Sequence, residues 1–195
     1  MRILWFDTET TGIDPADSSI FQLACILIEN GQFICERCFY LNPLSDTIKY
    51  HEEAGKIHGY SEEAIRAFPD EKEQVPIITS FLHNAVELFK NDGSRTELLV
   101  PAGYNVGFDL KHLEALLARN GHSISEFFKP QVADVFEQVK RAGFQKALPY
   151  LPDRKLGTVA KHLGVNLDKA HDAMADIRAT REVAKRLYML NVKLV

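Results

Sequence analysis

Residues 5–12 read WFDTETTG, and a short apolar run over residues 3–6 leads straight into the two carboxylates Asp7 and Glu9. Alternate residues of a strand point to the same face of a sheet, so a strand here projects both acids into the same small volume. Two carboxylates in that volume repel each other, and burying either charge unpaired is costly. The spacing therefore predicts that a cation lies between Asp7 and Glu9.

The chain has the composition of a globular protein, with 195 residues of which 46% are hydrophobic and 26% are charged. This length suits one well-buried domain over residues 1–195 and is short for two. The net charge of −4 gives no global basic field, so contact with nucleic acid must be local, through a patch or through metal ions. No apolar run reaches the roughly 20 residues of a membrane span, and the N-terminus lacks a signal-peptide pattern. We therefore expect a cytoplasmic protein with no membrane partner.

Two of the three cysteines, Cys35 and Cys38, form a C-x-x-C motif of the kind found in zinc and redox sites. The motif lies in a predicted strand, where a spacing of three puts the two side chains on opposite faces. No second C-x-x-C or histidine pair completes a zinc set. We therefore expect no metal at these cysteines.

The first part of the chain predicts three antiparallel strands. The first covers residues 2–7, and the second covers residues 19–28, which are rich in Ile, Leu and Phe. Asn30-Gly31 follows as a strong hairpin pattern, because both residues tolerate positive φ. The third strand then returns over residues 32–41. The strand that carries the acids therefore belongs to an antiparallel unit.

The rest of the chain alternates predicted helices with two further strands. Capping residues and apolar periodicity predict where each helix begins and ends. For example, Pro76 is predicted to begin one helix, and Asn120-Gly121 is predicted to end another. Helices are predicted over residues 50–59, 62–68, 76–90, 107–119, a stretch ending near 142, 155–163 and 172–190, with strands over 97–102 and 131–135 and a turn at 91–94. Antiparallel strands followed by strands alternating with helices predict one α/β domain around a mixed sheet.

Two further acids are candidates for the same site. Asp109 lies in the first turn of the helix over residues 107–119, where the helix dipole alone would favour an acid. Asp176 lies in the last helix beside several alanines, which let a helix press close to a sheet, although an acid there can equally face solvent. Each residue taken alone is more often structural than functional.

His171 is the candidate general base. It lies five residues before Asp176, a spacing that separates helical side chains by about 140°, so the two do not share a helix face. We expect His171 at the start of the helix, reaching over the site while Asp176 points into it. A lone histidine is usually a surface or core residue, but histidine has the pKa range for proton transfer near neutral pH.

Three segments together resemble one enzyme family. FDTETTG at residues 6–12, NVGFD at residues 105–109 and HDAMAD at residues 171–176 look like the three motifs of the DEDDh, or DnaQ-like, 3′–5′ exonucleases. Residues 57–59 and 155–165 also resemble segments that these enzymes carry between their motifs. The resemblance covers nearly the whole chain. It implies an RNase H-like fold with a mixed five-stranded sheet, three antiparallel strands followed by parallel strands, flanked by helices.

The resemblance also implies two Mg²⁺ or Mn²⁺ ions and a role for each matching residue. Asp7 would bridge both ions, Glu9 and Asp176 would complete the site that activates the attacking water, and Asp109 would support the second ion. His171 would take the proton from that water. General chemistry agrees, because hard cations prefer carboxylate oxygens and two ions stabilise both oxygens of an in-line phosphoryl displacement.

Five more positions are implied to hold the terminal nucleotide. Thr10 and Ile13 would lie near the 3′ sugar and base, and His58, Asn105 and Phe108 would line the pocket. Each of the last three also has a structural interpretation. Phe108 can pack in the core, His58 can cap or pack, and Asn105 can stabilise the turn before a helix.

The predicted activity is metal-dependent release of 5′-mononucleotides from the 3′ end of single-stranded DNA or RNA. A proofreading-type DNA exonuclease, a ribonuclease T-like trimmer and an oligoribonuclease all share the three motifs, so the polymer stays open. The chain ends 19 residues after Asp176, which favours a stand-alone or surface-recruited enzyme. Possible protein partners are a polymerase, another replication or repair protein, or a second copy in a homodimer.

Two other functions compete with this one. The domain can be a non-catalytic module that binds nucleic acid or protein, although the intact acids and His171 argue against it. It can also be a metal phosphohydrolase acting on nucleotides, as the His171-Asp172 pair suggests, but that chemistry needs further ligands from His112 or His162.

A basic patch is a weaker feature. Lys146, Arg154, Lys155 and Lys161 lie near the third motif and can steer phosphates toward the site. A solvated charged face is the simpler interpretation of such a cluster.

Overall fold

A computed structural model of the protein describes residues 1–87, 97–167 and 170–194. Its centre is one sheet of five strands in the order β3-β2-β1-β4-β5. The strands are β1 (Arg2–Thr10), β2 (Ile20–Glu29), β3 (Gln32–Tyr40), β4 (Val100–Gly103) and β5 (Ala133–Asp134). Strands β1 to β3 pair antiparallel, and β1, β4 and β5 pair parallel, as predicted.

Seven α-helices and one 3₁₀ turn are described around the sheet. They are α1 (Glu52–His58), α2 (Glu62–Arg66), α3 (Glu71–Glu87), α4 (Gly107–Arg119), a 3₁₀ turn at Ile124–Glu126, α5 (Val135–Phe144), α6 (Leu156–His162) and α7 (Ala173–Met189). None of the described helices is both long and apolar enough to cross a membrane. The turn predicted at residues 91–94 lies outside the described residues.

The sheet separates two apolar clusters, because successive side chains of β1 and β2 point to opposite faces. On one face, Trp5, Ala24 and Ile26 pack with side chains of α5, α6 and α7. On the other face, Leu4 and Phe6 pack with side chains of α3 and α4. The result is three layers with helices on both sides of the sheet.

The first hairpin forms where the sequence predicts it. Asn30 and Gly31 take φ values of 49° and 85°, the positive values that a tight antiparallel turn requires. β1 continues three residues beyond the predicted end at residue 7, because Glu9 pairs with Gln22 and Thr10 with Ile20 across a register shift. Both acids therefore lie inside the strand.

The prediction that a helix begins at Pro76 is wrong. α3 begins at Glu71, and Asp70 caps it by accepting a hydrogen bond from the Lys72 N–H at 2.8 Å. Pro76 lies inside the helix, where its ring removes one helical hydrogen bond. The part of the predicted helix after Glu87 lies outside the described residues.

The two cysteines of the C-x-x-C motif point to opposite sides of the sheet. Cys35 packs against the cluster that contains Leu4 and Phe6, and Cys38 packs against the cluster that contains Trp5. This placement agrees with the spacing argument that the pair does not share one site.

Candidate active site

Strand β1 places Asp7 and Glu9 on the side of the sheet that α7 covers. Trp5, two residues before Asp7, packs in the apolar cluster that includes α7, and alternation carries the same face forward to both acids. Asp7 is half-buried, and Glu9 is only 8% exposed. The two carboxylates therefore lie between the strand and the helix, as the spacing of two predicts.

The start of α7 brings Asp176 and His171 to Glu9. One potential ligand atom from each of Glu9, His171 and Asp176 lies within 4.8 Å of the others. Ala173 and Ala179 are buried against the sheet, so the helix approaches the strand closely.

His171 precedes α7 and remains exposed at the edge of this group. Its backbone takes a positive φ of 66°, and its N–H donates to Asp176 Oδ2 at 3.2 Å. The backbone of the histidine therefore holds the acid, while its ring stays near the opening of the group.

Asp109 reaches β1 from the opposite face of the sheet. Thr8, between the two acids of the strand, donates to Asp109 Oδ1 from its backbone N–H at 3.0 Å and from its hydroxyl at 2.6 Å. Asp109 is 4% exposed and lies in the first turn of α4, as predicted. Gly103, at the end of β4, lies close to β1, since a Cβ there would be 2.9 Å from the Phe6 carbonyl oxygen.

Burial and mutual repulsion raise the pKa of these carboxyls. Burial raises the pKa of Glu9 to about 8, and the charges of Asp176 and Asp109 add to the rise. Burial raises the pKa of Asp109 to about 7, against the opposing effect of the hydrogen bonds from Thr8. Carboxyls in this state hold protons near neutral pH unless cations replace those protons.

Burial and neighbouring charges also raise the pKa values of the other two carboxyls, Asp7 and Asp176. Burial first, and then the charges of Asp109, Asp176 and Glu9, raise the pKa of Asp7 well above its ordinary value. Burial also raises the pKa of Asp176, although its contacts with His171 oppose the rise. Among the described residues, Asp176 Oδ1 is buried without a hydrogen-bond partner. These features fit a divalent cation, since carboxylate oxygens are its preferred ligands.

Thr10 and His58, which were predicted to contact the terminal nucleotide, are both buried. The Thr10 hydroxyl donates to the Gly12 carbonyl at 2.7 Å, so it stabilises the loop after β1. His58 Nδ1 accepts from the Tyr60 N–H at 3.1 Å, and its ring lies edge-on to Phe21. Within the described part of the chain, the buried His58 Nε2 has no hydrogen-bond partner.

The other three predicted contacts share one cavity. Ile13, Asn105 and Phe108 line a space of about 590 Å³, and Ile13 is 78% exposed there. Asn105 has a positive φ of 55°, and its N–H donates to Asp134 Oδ1 at 2.9 Å. The Asn105 backbone therefore does have the structural role that the sequence allowed, while its side chain stays exposed.

Gln22 was missed by the sequence argument. It is fully buried on β2, and its Oε1 accepts from the Ala173 N–H at 3.4 Å. Its Nε2 donates to Asp172 Oδ2 at 3.3 Å and to the Tyr40 hydroxyl at 3.0 Å. Asp172 in turn caps α7 through the Ala175 N–H. A glutamine inside an otherwise apolar strand was the available clue, because buried polar groups need partners.

Asp134 was also missed. It ends β5 and caps α5 by accepting from the Phe136 N–H at 2.9 Å, while the same oxygen holds Asn105. An acid just before a helix is a common cap, so the sequence alone did not separate Asp134 from other caps.

Neither histidine that the phosphohydrolase alternative needs joins this group. His112 is buried in α4, where its ring nitrogens lie 3.2 Å from the Phe108 carbonyl and 3.3 Å from Ser18 Oγ. His162 lies at the end of α6. In the part of the chain that the structure describes, the potential metal group contains Glu9, His171 and Asp176 and neither of these two residues.

The fold and the site define a class of protein, an RNase H-like α/β domain with an acidic site between the sheet and its last helix. The family model RNase T, described as exonuclease, matches residues 4–184. The chain therefore belongs to this exonuclease family, and the resemblance to DEDDh, DnaQ-like 3′–5′ exonucleases is confirmed.

Curated relatives and solved structures support the same family. PolC-type DNA polymerase III of Clostridium perfringens is 24% identical over 180 residues, which is 92% of this chain and 11% of the polymerase. The corresponding protein of Latilactobacillus sakei is 25% identical, over 96% of this chain and 12% of the polymerase. The chain thus spans about a tenth of the length of these relatives.

Exonuclease I has a similar structure. One solved chain matches with a TM-score of 0.78 and 26% identity, over 96% of this chain and 41% of that one. A zinc-bound complex of E. coli exonuclease I with single-stranded DNA matches with a TM-score of 0.80 and 25% identity, over 99% of this chain and 41% of that one. These matches confirm the predicted RNase H-like fold.

Proposed function

We propose that this chain is a divalent-metal-dependent 3′–5′ exonuclease that releases 5′-mononucleotides from the 3′ end of single-stranded DNA, with RNA as the alternative polymer. The observation that carries the proposal is the group of Glu9, His171 and Asp176 within 4.8 Å, beside Asp7 and Asp109, in an exonuclease fold. We also infer that residues 1–195 form a single exonuclease domain, since one sheet carries both apolar clusters.

The four carboxylates Asp7, Glu9, Asp109 and Asp176 would hold two Mg²⁺ or Mn²⁺ ions. When bound, such ions activate water and stabilise the oxygens that attack and leave in phosphodiester hydrolysis. The raised pKa values and the unpartnered Asp176 Oδ1 support this assignment in the described chain, because both indicate uncompensated negative charge.

His171 would act as the general base. Its side chain is exposed at the edge of the acidic group, where it can accept the proton of the attacking water and pass it to solvent. The hydrogen bond from its N–H to Asp176 fixes the backbone that carries the ring. Asp176 therefore links the position of the base to the position of the carboxylates.

The terminal nucleotide would occupy the cavity that Ile13, Asn105 and Phe108 line. The Phe108 ring is half-buried and packs on His112 at 4.5 Å, which leaves one part of it available to a base. Thr10 and His58 would contribute from buried positions, Thr10 by holding the Gly12 carbonyl and His58 through its unpartnered Nε2. The solved E. coli exonuclease I complex with single-stranded DNA supports DNA as the polymer.

The PolC-type relatives support a replication or repair partner, and a homodimer is a further possibility for the assembled protein. Neither partner is needed for the chemistry proposed at the acidic group. Activity of the isolated chain is therefore the first property to test.

The test is digestion of single-stranded DNA, duplex DNA, single-stranded RNA and mononucleotides with Mg²⁺ or Mn²⁺. We expect 5′-mononucleotides from single strands, no product with EDTA, and a loss of at least about 100-fold in Asp7→Asn, because a proposed metal ligand is removed. Asp46→Asn, at an exposed aspartate outside the site, is the matched control. Activity on no polymer would contradict the proposal, and phosphate release from mononucleotides alone would favour a phosphohydrolase.

A further inference from the structure

A groove of about 1770 Å³ opens beside the acidic group, and His171 and Asp176 form part of its wall. The groove is also lined by the loop between α5 and α6, over Lys146 to Lys155, and by the first residues of α6. Asn105 and Phe108 line this groove as well as the smaller cavity proposed for the terminal nucleotide. The groove is therefore continuous with the proposed site.

Four exposed cations line the groove. They are Lys56, Lys146, Arg154 and Lys155. Among the described residues, none of the four forms an ion pair with a carboxylate. The chain as a whole has a net charge of −4, so this local cluster of unpaired cations contrasts with the overall charge and suits a polyanion.

Aromatic side chains lie among these cations. Tyr150 is 95% exposed on the loop and lines the groove. Tyr104 and Phe136 lie in the same wall and pack edge-to-face with ring centroids 5.8 Å apart. The Tyr104 hydroxyl donates to the Arg154 carbonyl, which ties the end of the loop to the sheet. Basic and aromatic groups combined in one groove are typical of surfaces that bind unpaired nucleic-acid strands.

We propose that this groove binds the nucleotides upstream of the scissile bond in a single strand, with a base stacked on Tyr150 and phosphates near the four cations. The proposal rests on the proposed exonuclease function and adds how the enzyme selects its substrate. A duplex hides its base faces in its own stack, so Tyr150 favours an unpaired strand over a duplex. A strand of several nucleotides would extend along the groove from the acidic group to Tyr150, whereas a dinucleotide at the acidic group would be too short to reach Tyr150.

The first test compares kcat/KM for an oligothymidylate of about 12 nucleotides with kcat/KM for a dinucleotide. In Tyr150→Ala, we expect the ratio of the two values to fall about tenfold, because a stacked base is lost. Phe144→Ala is the matched control, since Phe144 is also exposed, at 90%, but does not line the groove. An unchanged ratio in Tyr150→Ala, or the same fall in Phe144→Ala, overturns the proposal.

The second test measures how KM for the longer strand depends on salt. Each phosphate contact adds to the slope of log KM against log salt, so Arg154→Ala with Lys155→Ala should lower the slope by about one or more. Lys161→Ala is the control, because Lys161 is exposed on α6 outside the groove. An equal slope in the wild type and the double variant overturns the proposal.

Binding without turnover separates this proposal from the proposed function. Fluorescence anisotropy of the labelled oligothymidylate with Asp7→Asn should show the same weakening by Tyr150→Ala, even if no hydrolysis occurs. If the wild type hydrolyses the strand but Tyr150→Ala does not weaken binding, the groove proposal is overturned and the proposed exonuclease function stands. Displacement of the strand by a glutamate peptide at equal charge concentration would assign the groove to an acidic protein segment. That result would also overturn the proposal.

Discussion

Thr8 binds Asp109 Oδ1 twice, through its backbone N–H at 3.0 Å and through its hydroxyl at 2.6 Å. Thr8 lies between Asp7 and Glu9 on β1, while Asp109 lies on α4 on the other side of the sheet. The residue between the two strand acids therefore positions a third acid. This contact links the first and second motifs, although about a hundred residues separate them in the chain.

Removal of the Thr8 hydroxyl should weaken metal binding. Thr8→Val keeps the shape and the backbone donor but loses the 2.6 Å bond, so Asp109 is held less firmly. We expect about a tenfold rise in the Mg²⁺ or Mn²⁺ concentration needed for half-maximal activity, as is usual for residues that orient a ligand. Thr8→Ser should restore the wild-type value. Equal metal dependence in Thr8→Val and the wild type would refute this role.

Gln22 should control the position of the start of α7. Gln22→Leu fills the same buried space but removes the bonds to Asp172 and to the Ala173 N–H. We expect a fall of about 10- to 100-fold in kcat/KM, because the helix that carries Asp176 loses its anchor to β2.

The control for Gln22 is Gln138→Leu, since Gln138 is equally buried but bonds to the Val192 carbonyl away from the site. Both variants should lower the melting temperature. Only Gln22→Leu should lower the activity of the folded fraction. A similar loss of activity in both variants would mean that Gln22 acts through stability alone.

The acidic group should make the metal-free protein less stable as pH rises. The pKa of Glu9 is about 8 in the folded chain and near its ordinary value of 4.5 when unfolded. A group with a raised folded pKa stabilises the fold fully below its unfolded pKa, and this contribution is lost as pH rises through the folded pKa. With EDTA present, the melting temperature should therefore fall between about pH 5 and pH 8.

Two comparisons isolate this effect. Glu9→Gln removes the titrating group, so the metal-free variant should become more stable than the wild type as pH rises. Mg²⁺ should raise the melting temperature of the wild type more at pH 8 than at pH 5, because cations bind the ionised carboxylates. If the melting temperatures of the wild type and Glu9→Gln change with pH in parallel in EDTA, Glu9 does not cause the loss of stability at high pH.

His171 should affect the chemical step more than binding. His171→Asn removes the imidazole, and asparagine tolerates the positive φ of 66° at this position. We expect kcat to fall by about 100- to 10,000-fold, with KM changed by less than about threefold. His162→Asn, at the end of α6, should keep wild-type kcat. Single-turnover kinetics provides the measurement, and an unaltered kcat in His171→Asn would exclude the general-base role.

Local patterns predicted the framework of the fold well. Asn30-Gly31 gave the hairpin because both residues take positive φ, and the predicted helix over residues 107–119 matches α4. The acids at spacing two indicated one face of a strand, and β1 does place Asp7 and Glu9 on the α7 side. These features depend on neighbouring residues, which the sequence displays directly.

Features that depend on distant residues were not predictable in this way. Gln22 bonds to Asp172 and Ala173, which lie 150 and 151 positions further along the chain, and no local pattern identifies them as its partners. Proline favours the first turn of a helix, so the sequence predicts a helix that begins at Pro76. The cap at Asp70 and the buried Val75 instead belong to a helix that begins at Glu71. The sequence indicates Lys146, Arg154 and Lys155 as a basic patch, but only the fold brings Lys56 to the same groove and leaves Lys161 outside it.

The proposed function requires that the acidic group hydrolyses a strand from its free 3′ end. The most direct measurement follows a 5′-labelled single strand with Mg²⁺, comparing a free 3′ hydroxyl with a chemically blocked 3′ end, in the wild type and in Asp7→Asn. We expect stepwise shortening of the free strand with release of 5′-mononucleotides, strong resistance of the blocked strand, and almost no product from Asp7→Asn. Internal cleavage of the blocked strand, or full activity in Asp7→Asn, would contradict the proposed function.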